Sequence, residues 1–363
     1  MNFAKKFFTA LVAAVAFGIF FPSAESSSVM HRLEVYSTDS GGTLIFSDSP
    51  EYVRRNGILY TDTVAGDARI LFYHLNDTNL RKRFAIIFEN TTNAPTVVNI
   101  TRGGLSLPNG NYFSVGKIAQ TMYMEKNFSD RIELEAYERK VYQPDSNYFL
   151  LQPKHLIHGV CDFFSNNPVR IFLMMYPETA DPLKFLNHAE ILPKDESRLR
   201  GTFKQMNRTL TLKKPYDGKR DGLGYVLIGD NITDRFKRGI DATDGSEVIN
   251  YGNYGINYTL NFRTKFLTRF YLCPLGGHYA GALRYKYYDK SGVIQTPEKK
   301  LYFGDQTPPE NLAVALARSE GIALLTNSAE LSELGEYRGQ VSFEFSPPGA
   351  SNLPVNIVLM PQN

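Results

Sequence analysis

The sequence predicts a mainly-β protein: two antiparallel β-sandwich-like domains with one or two short helices. Three observations carry that prediction. Tyr and Phe number 22 and 25 in 363 residues, and Gly and Pro 28 and 19; aromatic residues favour strands, and turn formers punctuate them. Runs of β-branched and aromatic residues alternate with short polar loops, the pattern of a meander. About 335 residues follow an N-terminal export segment, too many for one ordinary core.

The export segment is the first element. Lys5 and Lys6 precede the apolar run FFTALVAAVAFGIFF and a small-residue exit, Pro-Ser-Ala-Glu-Ser-Ser-Ser. That layout is a secretory signal peptide over residues 1–26, and the run is short for a membrane span. Cleavage is expected near Ala24 to Ser26, with Pro22 departing from the small-x-small rule; an uncleaved anchor is the alternative.

Residues 33–36 and 43–46 read as short strands around a Ser-Gly-Gly turn, and GILY at 57–60 leads to a turn at Ala65-Gly66-Asp67. Strong strand runs follow at 69–76, 83–90 and 96–102. The stretch 115–126 (VGKIAQTMYMEK) instead places Val115, Ile118, Ala119 and Met122 on one helical stripe. Strands resume at 131–141, 148–151, 159–164 and 169–176. Asp181 and Pro182 start a short helix that Pro193 ends. This segment, 181–194, is the expected linker between a sandwich at 30–180 and a second at 195–363.

In the second half the clearer strand runs are 202–213, 225–229, 254–263, 268–273, 282–288, 339–346 and 354–359, with a weakly helical segment at 309–318. A faint echo between Gly66–Asn76 and Gly252–Asn261 is explained by duplication of a sandwich or by generic strand-turn composition.

Charge is balanced, with 40 basic against 37 acidic residues and a net +3 that cleavage after Ala24 would lower to +1. Such a chain has no general attraction to nucleic acid or anionic lipid. No second apolar stretch is long enough to span a bilayer, so no membrane span is expected after signal removal. Seven N-x-[S/T] sequons (Asn76, Asn90, Asn99, Asn127, Asn207, Asn231, Asn257) would predict glycans in a eukaryotic secreted protein; the signal peptide and short polar loops look bacterial.

Few residues offer chemistry. His155, His158 and Cys161, beside Asp162, are the metal candidates, because imidazole and thiolate suit zinc or copper. Spacing of three on a strand sends His155 and His158 to opposite faces, however, and Pro153 and Gly159 oppose a helix that would converge them. The loop from Asp241 to Glu247 places three carboxylates around Gly245 but lacks the alternating calcium-loop pattern. There is no G-x-S-x-G elbow, no H-E-x-x-H and no P-loop, so the sequence favours a protein without catalysis and without a cofactor. Carboxylate pairs for glycoside hydrolysis need no local motif and stay open. Cys161 and Cys273 are either a disulfide or two buried free thiols. Trp is absent, so a sugar platform would fall to the dense tyrosine group, with Tyr254 and Tyr279 as the candidates.

Several phrases together carry a resemblance: Gly57-Ile-Leu-Tyr-Thr-Asp-Thr-Val-Ala-Gly-Asp-Ala-Arg69, Tyr73-His-Leu-Asn76, Thr101-Arg-Gly-Gly104, Gly252-Asn-Tyr-Gly255, Pro274-Leu-Gly-Gly-His-Tyr-Ala-Gly281 and Ser351-Asn-Leu-Pro354. Over residues 57–359 the chain resembles a functionally uncharacterised family of exported bacterial proteins, often fused to or labelled after the copper amine oxidase N-terminal-like domain. The resemblance implies a β-rich architecture and an envelope or secreted location, and no established reaction. The oxidase chemistry itself is not implied. None of the Asn-Tyr pairs continues with an acid, and the six histidines include no His-x-His. The expected function is therefore a non-catalytic exported protein mediating surface interaction, with a cell-wall polymer or an envelope protein as partner. The alternative is a carbohydrate-binding or carbohydrate-active protein using tyrosine platforms.

Overall fold

The computed structural model describes residues 28–125, 129–142, 145–277, 279–288, 294–302, 324–325 and 331–362. The expected signal peptide (1–26) and the weakly helical stretch at 309–318 lie outside them.

In chain order the first elements are β1 (Val35–Ser40), β2 (Thr43–Ser47), β3 (Gly57–Asn76), β4 (Lys82–Asn90) and β5 (Thr96–Leu105). Helix α1 (Tyr112–Glu125) interrupts them, close to the span its periodicity predicts. Next come β6 (Asp130–Leu134), β7 (Arg139–Tyr142) and β8 (Leu156–Pro177). Helix α2 (Pro182–Leu186) is shorter than expected. Asp181 caps it by accepting from the Lys184 amide at 2.8 Å. Beyond Leu186 the chain straightens against β3 instead: Ile58 N donates to Glu190 O, and Leu192 N to Ile58 O.

The remaining elements are β9 (Arg200–Lys204), β10 (Asn207–Leu212), the one-turn α3 (Gly218–Asp221), β11 (Gly224–Ile228), β12 (Lys237–Ile240) and β13 (Glu247–Asn250). Then follow β14 (Asn257–Pro274), β15 (Ala282–Tyr288), β16 (Ile294–Tyr302), β17 (Ser332–Phe345) and β18 (Val355–Pro361).

Among the described residues these strands build two large sheets. The first runs β7-β4-β8-β3-β2-β9-β12-β13, with β5 attached to β8 and β6 to β5. The second runs β11-β18-β14-β17-β15-β16, with β10 attached to β14 and β1 to β10. The protein is mainly β, as expected. Four strand pairings among the described residues are parallel, β2 with β3 and β10 with β14 the longest, so the sheets are mixed rather than purely antiparallel. Sheet membership also ignores the expected boundary at 195: β1 belongs to the second sheet, whereas β9, β12 and β13 belong to the first.

Several pairs of predicted strands prove to be one bent strand. Residues 57–60 and 69–76 both lie in β3, and 159–164 and 169–176 both lie in β8. These two pair antiparallel along their length, with a register break between Ser165 and Val169. Opposite the break, Gly66 has φ +77°, which a side chain would resist. The bulge bends the ribbon, so that one half pairs with β5 and the other with β4. The β14–β17 ribbon repeats the device, with a break between Thr264 and Thr268 opposite Gly339 at φ +93°.

The two faces of the first ribbon have different fates, as the strand period of two requires. Ala68, Ile70 and Phe72 enter one core with Ile157, Cys161 and Phe163. Leu71 points the other way. With Leu44, Phe46 and Phe203 it joins the core beneath the second sheet, among Leu210, Tyr258 and Phe345. The two sheets therefore share apolar packing as well as backbone topology.

Two sequons are resolved as architecture. Asn76 and Asn90 are fully buried, and each donates to the carbonyl four residues on and accepts from the Thr two residues on. They are Asx-turn anchors closed to glycan attachment.

Candidate functional site

The face of the β3–β8 ribbon that carries Leu71, turned toward the second sheet, also carries a cluster of polar side chains. Arg69 is 2% exposed and spends its donors across the junction. Its Nε and Nη2 grip Asp162 at 2.6 and 3.0 Å, while Nη1 donates to the carbonyls of Met206 and Gly255, each at 2.8 Å. Tyr123 of α1 donates to the same Asp162 at 2.9 Å. Arg102 of β5 lies 3.7 Å from the Tyr123 ring centroid, a cation–π stack, and reaches Glu344 of the second sheet at 2.6 Å.

Helix α1 closes the junction from one side. Gln120 donates to Ala282 O and Ser346 O at 2.8 and 2.6 Å and accepts from Ala282 N at 2.6 Å. Gly116 packs directly on the backbone of Gly349.

A polar cleft of about 490 Å³ opens along this junction. The second sheet contributes Arg284, Lys286 and Tyr288, alternate residues of β15, with Asn257 and Glu344; the first contributes Arg69, Arg102 and Asp162. Among the described lining residues four cations face two carboxylates. Alternation explains the placement, since Leu283, Tyr285 and Tyr287 pack toward the core of the second sheet.

Further along the same ribbon face lies a smaller cavity of about 180 Å³, lined by Asp48, Glu51, Tyr73, His158, Tyr254 and Asn352 among others. Burial raises the Asp48 carboxyl well above the usual range, reinforced by the charges of Glu51 and Asp195, and its Oδ1 has no hydrogen-bond partner. Burial likewise raises Glu51, with Asp195 adding to it. The loop is pinned by Asp195, which accepts from Ser49 Oγ and Glu51 N, each at 2.7 Å. His158 sits with Nδ1 2.8 Å from Phe72 O, and burial lowers its pKa to about 4. The ring is therefore neutral near pH 7. A carbonyl only accepts, so Nδ1 carries the proton and Nε2 is left an acceptor. Tyr254 donates to Ser351 O at 2.6 Å.

A third cavity, of about 200 Å³, is apolar and lies between α1 and the first sheet, bounded by Phe72, Leu105, Met122, Tyr142 and Cys161.

The sequence-predicted residues are distributed among these places. His158 and Tyr254 meet in the small cavity, although neither was singled out for that reason. His155 lies in the turn before β8, and Cys161 points into the core opposite His158. Among the described residues no group of three or more His, Cys, Asp or Glu side chains is placed to hold a metal. Cys161 and Cys273 are both free, in separate apolar clusters, so the disulfide alternative gives way to buried thiols.

Tyr279 is no platform. It is fully buried and stacked on Phe345 at 6.3 Å, whereas the tyrosines lining the larger cleft are Tyr285 and Tyr288. Two of the three carboxylates of the 241–247 loop are occupied internally. Arg200 and Thr243 bond Asp241, and Lys194 holds Asp244 at 2.7 Å.

Sequence reasoning missed Asp48 and Glu51. The available signal was Asp-Ser-Pro-Glu, two acids in a turn between strands with no basic residue before Arg54.

No protein-family model matches this chain, and no curated protein matches it. Among solved structures, the crystal structure of PBSX exported protein XepA aligns over 92% of this chain and 84% of its own, at 7% identity and a TM-score of 0.16. The structure of the Macrobrachium rosenbergii nodavirus aligns over 98% and 96%, at 9% identity and a TM-score of 0.12. No helix among the described residues is long and apolar enough to cross a membrane.

Proposed function

We propose that this chain is an exported, non-catalytic binding protein, cell-envelope associated or secreted, whose junction cleft engages an anionic polysaccharide of a cell surface. The signal-peptide layout and the resemblance to exported bacterial proteins belong to the same reading. The observation that carries it is the polar cleft of about 490 Å³ between the sheets, where Arg284 and Lys286 stand beside Asn257 and the ring of Tyr288. Guanidinium and ammonium groups recognise carboxylate or phosphate substituents, amides pair with hydroxyls, and a tyrosine ring gives a sugar face something flat to cover. Fixed ion pairs behind the cleft (Arg69 with Asp162, Arg102 with Glu344) preorganise it, which lowers the cost of ordering on binding.

The test is retention of the purified protein on anionic and neutral cell-wall polysaccharide fractions, with Tyr288→Ala alongside. The expected outcome is retention on the anionic fraction, weakened by salt and by Tyr288→Ala. Equal retention of wild type and variant, or binding to neither fraction, would refute the assignment of the cleft.

A further inference from the structure

The small cavity at Asp48 has a chemical character distinct from the larger cleft. Among its described lining residues there is no lysine or arginine. Its lining combines the carboxyl groups of Asp48 and Glu51 and the His158 ring with the Asn352 amide and with aromatic and aliphatic walls. Asp48 and Glu51 both line the cavity, and Asp48 Oδ1 is buried without a hydrogen-bond partner. His158 is 2% exposed; its Nδ1–H is committed to Phe72 O, which leaves Nε2 a lone pair lying against Gly349 at the cavity wall. Tyr73 and Tyr254 supply rings, Tyr73 standing edge-on to His158 with centroids 5.6 Å apart. Tyr254 has its proton committed to Ser351 O, so its oxygen too is left to accept.

We propose that this cavity is a binding site for a small primary ammonium group. Such a ligand brings a positive charge and three N–H donors, matching Asp48 Oδ1, Glu51 and His158 Nε2, while aromatic walls favour a desolvated cation. The volume of about 180 Å³ admits an ammonium with a short carbon chain. A buried carboxyl without a donor is costly to leave in the folded protein, and a cationic donor removes that cost on binding. That burial and neighbouring acids push the Asp48 and Glu51 carboxyls up fits a site awaiting positive charge.

The probe is n-butylammonium chloride, titrated calorimetrically into the full chain at constant ionic strength, with tetramethylammonium and sodium chloride as controls. The expected result is saturable binding of n-butylammonium that weakens about tenfold or more in both Asp48→Asn and Glu51→Gln and is unchanged in Tyr288→Ala. The two near-isosteric variants keep the test decisive should one of them fail to fold. Absence of saturable binding by wild type, undiminished binding in a folded Asp48→Asn or Glu51→Gln, or equally tight binding of tetramethylammonium, which has no N–H, would overturn the proposal. Tyr288→Ala separates the outcome from the polysaccharide reading, since that residue lines only the larger cleft.

Discussion

Arg102 and Glu344, 242 residues apart in the chain, meet at 2.6 Å across the junction of the two sheets. Their side chains are 8% and 14% exposed, so neither is well solvated without the other. Asn257 also donates to Glu344, at 2.8 Å, and the Tyr123 carbonyl accepts from Arg102 at 2.6 Å. Removing one partner of a buried ion pair leaves an uncompensated charge, which costs about 3 kcal/mol. Arg102→Met and Glu344→Gln are each expected to destabilise by about that amount, and the double variant by less than the sum. Urea unfolding of the four proteins measures the coupling. Strict additivity would mean that the pair does not tie the sheets together.

Gly116 lies in a helix, where alanine ordinarily stabilises by about 0.5–1 kcal/mol. Here the sign reverses. A Cβ at this position would come within 1.8 Å of Gly349 O, on the loop that walls the small cavity. Gly116→Ala is expected to destabilise by about 1–3 kcal/mol through overpacking. Hydrogen exchange should quicken in α1 and in residues 346–352 while β4 and β8 keep their protection. A stabilised variant would show that helix and loop are not in contact.

Much of the fold is legible in the sequence because its signals are local. The stripe through Val115, Ala119 and Met122 marked α1 within a few residues, and the runs around Ile70, Ile86 and Ile171 marked true strands. What escaped is non-local. Nothing within residues 57–76 tells a strand-turn-strand from one bent strand, since Gly66 serves either, and only pairing with β8 decides it. The membership of β1 in the second sheet depends on β10, some 170 residues away in the chain. The site follows the same logic: His158 and Tyr254 attract notice as residue types, but their meeting with Asp48 is a product of sheet-on-sheet packing.

His74 reports on acid stability. Its ring is fully buried between Ser47 Oγ and Pro50 O, each at 2.9 Å, and burial lowers its pKa from 6.5 to about 4. The unfolded chain therefore binds a proton below pH 6.5 that the folded chain refuses until about pH 4. Stability contributed by the neutral ring is complete above pH 6.5 and is lost as pH falls through that window. Raised carboxyls at Asp48 and Glu51 act in the opposite sense, so a difference measurement isolates the histidine. Between pH 7 and pH 5, His74→Gln is expected to lose about 2 kcal/mol less stability than wild type. Parallel pH profiles for the two proteins would show that His74 is not buried neutral.

The two cysteines give a chemical test of the core. Burial pushes the Cys161 thiol up to about 12, aided by the Asp162 charge, and thiolate is the reactive species. Cys273 lies in a separate apolar cluster with Tyr271 and Val358. A charged disulfide reagent such as dithionitrobenzoate is expected to find almost no reactive thiol in the native protein, and both thiols once the chain is unfolded without reductant. No thiol in the unfolded chain would mean that the two are joined, which would require β8 and β14 to approach far more closely than separate cores allow. Rapid reaction at Cys161 alone would instead mean that its side chain is reached through the apolar cavity it lines with Phe72 and Leu105, contradicting its burial.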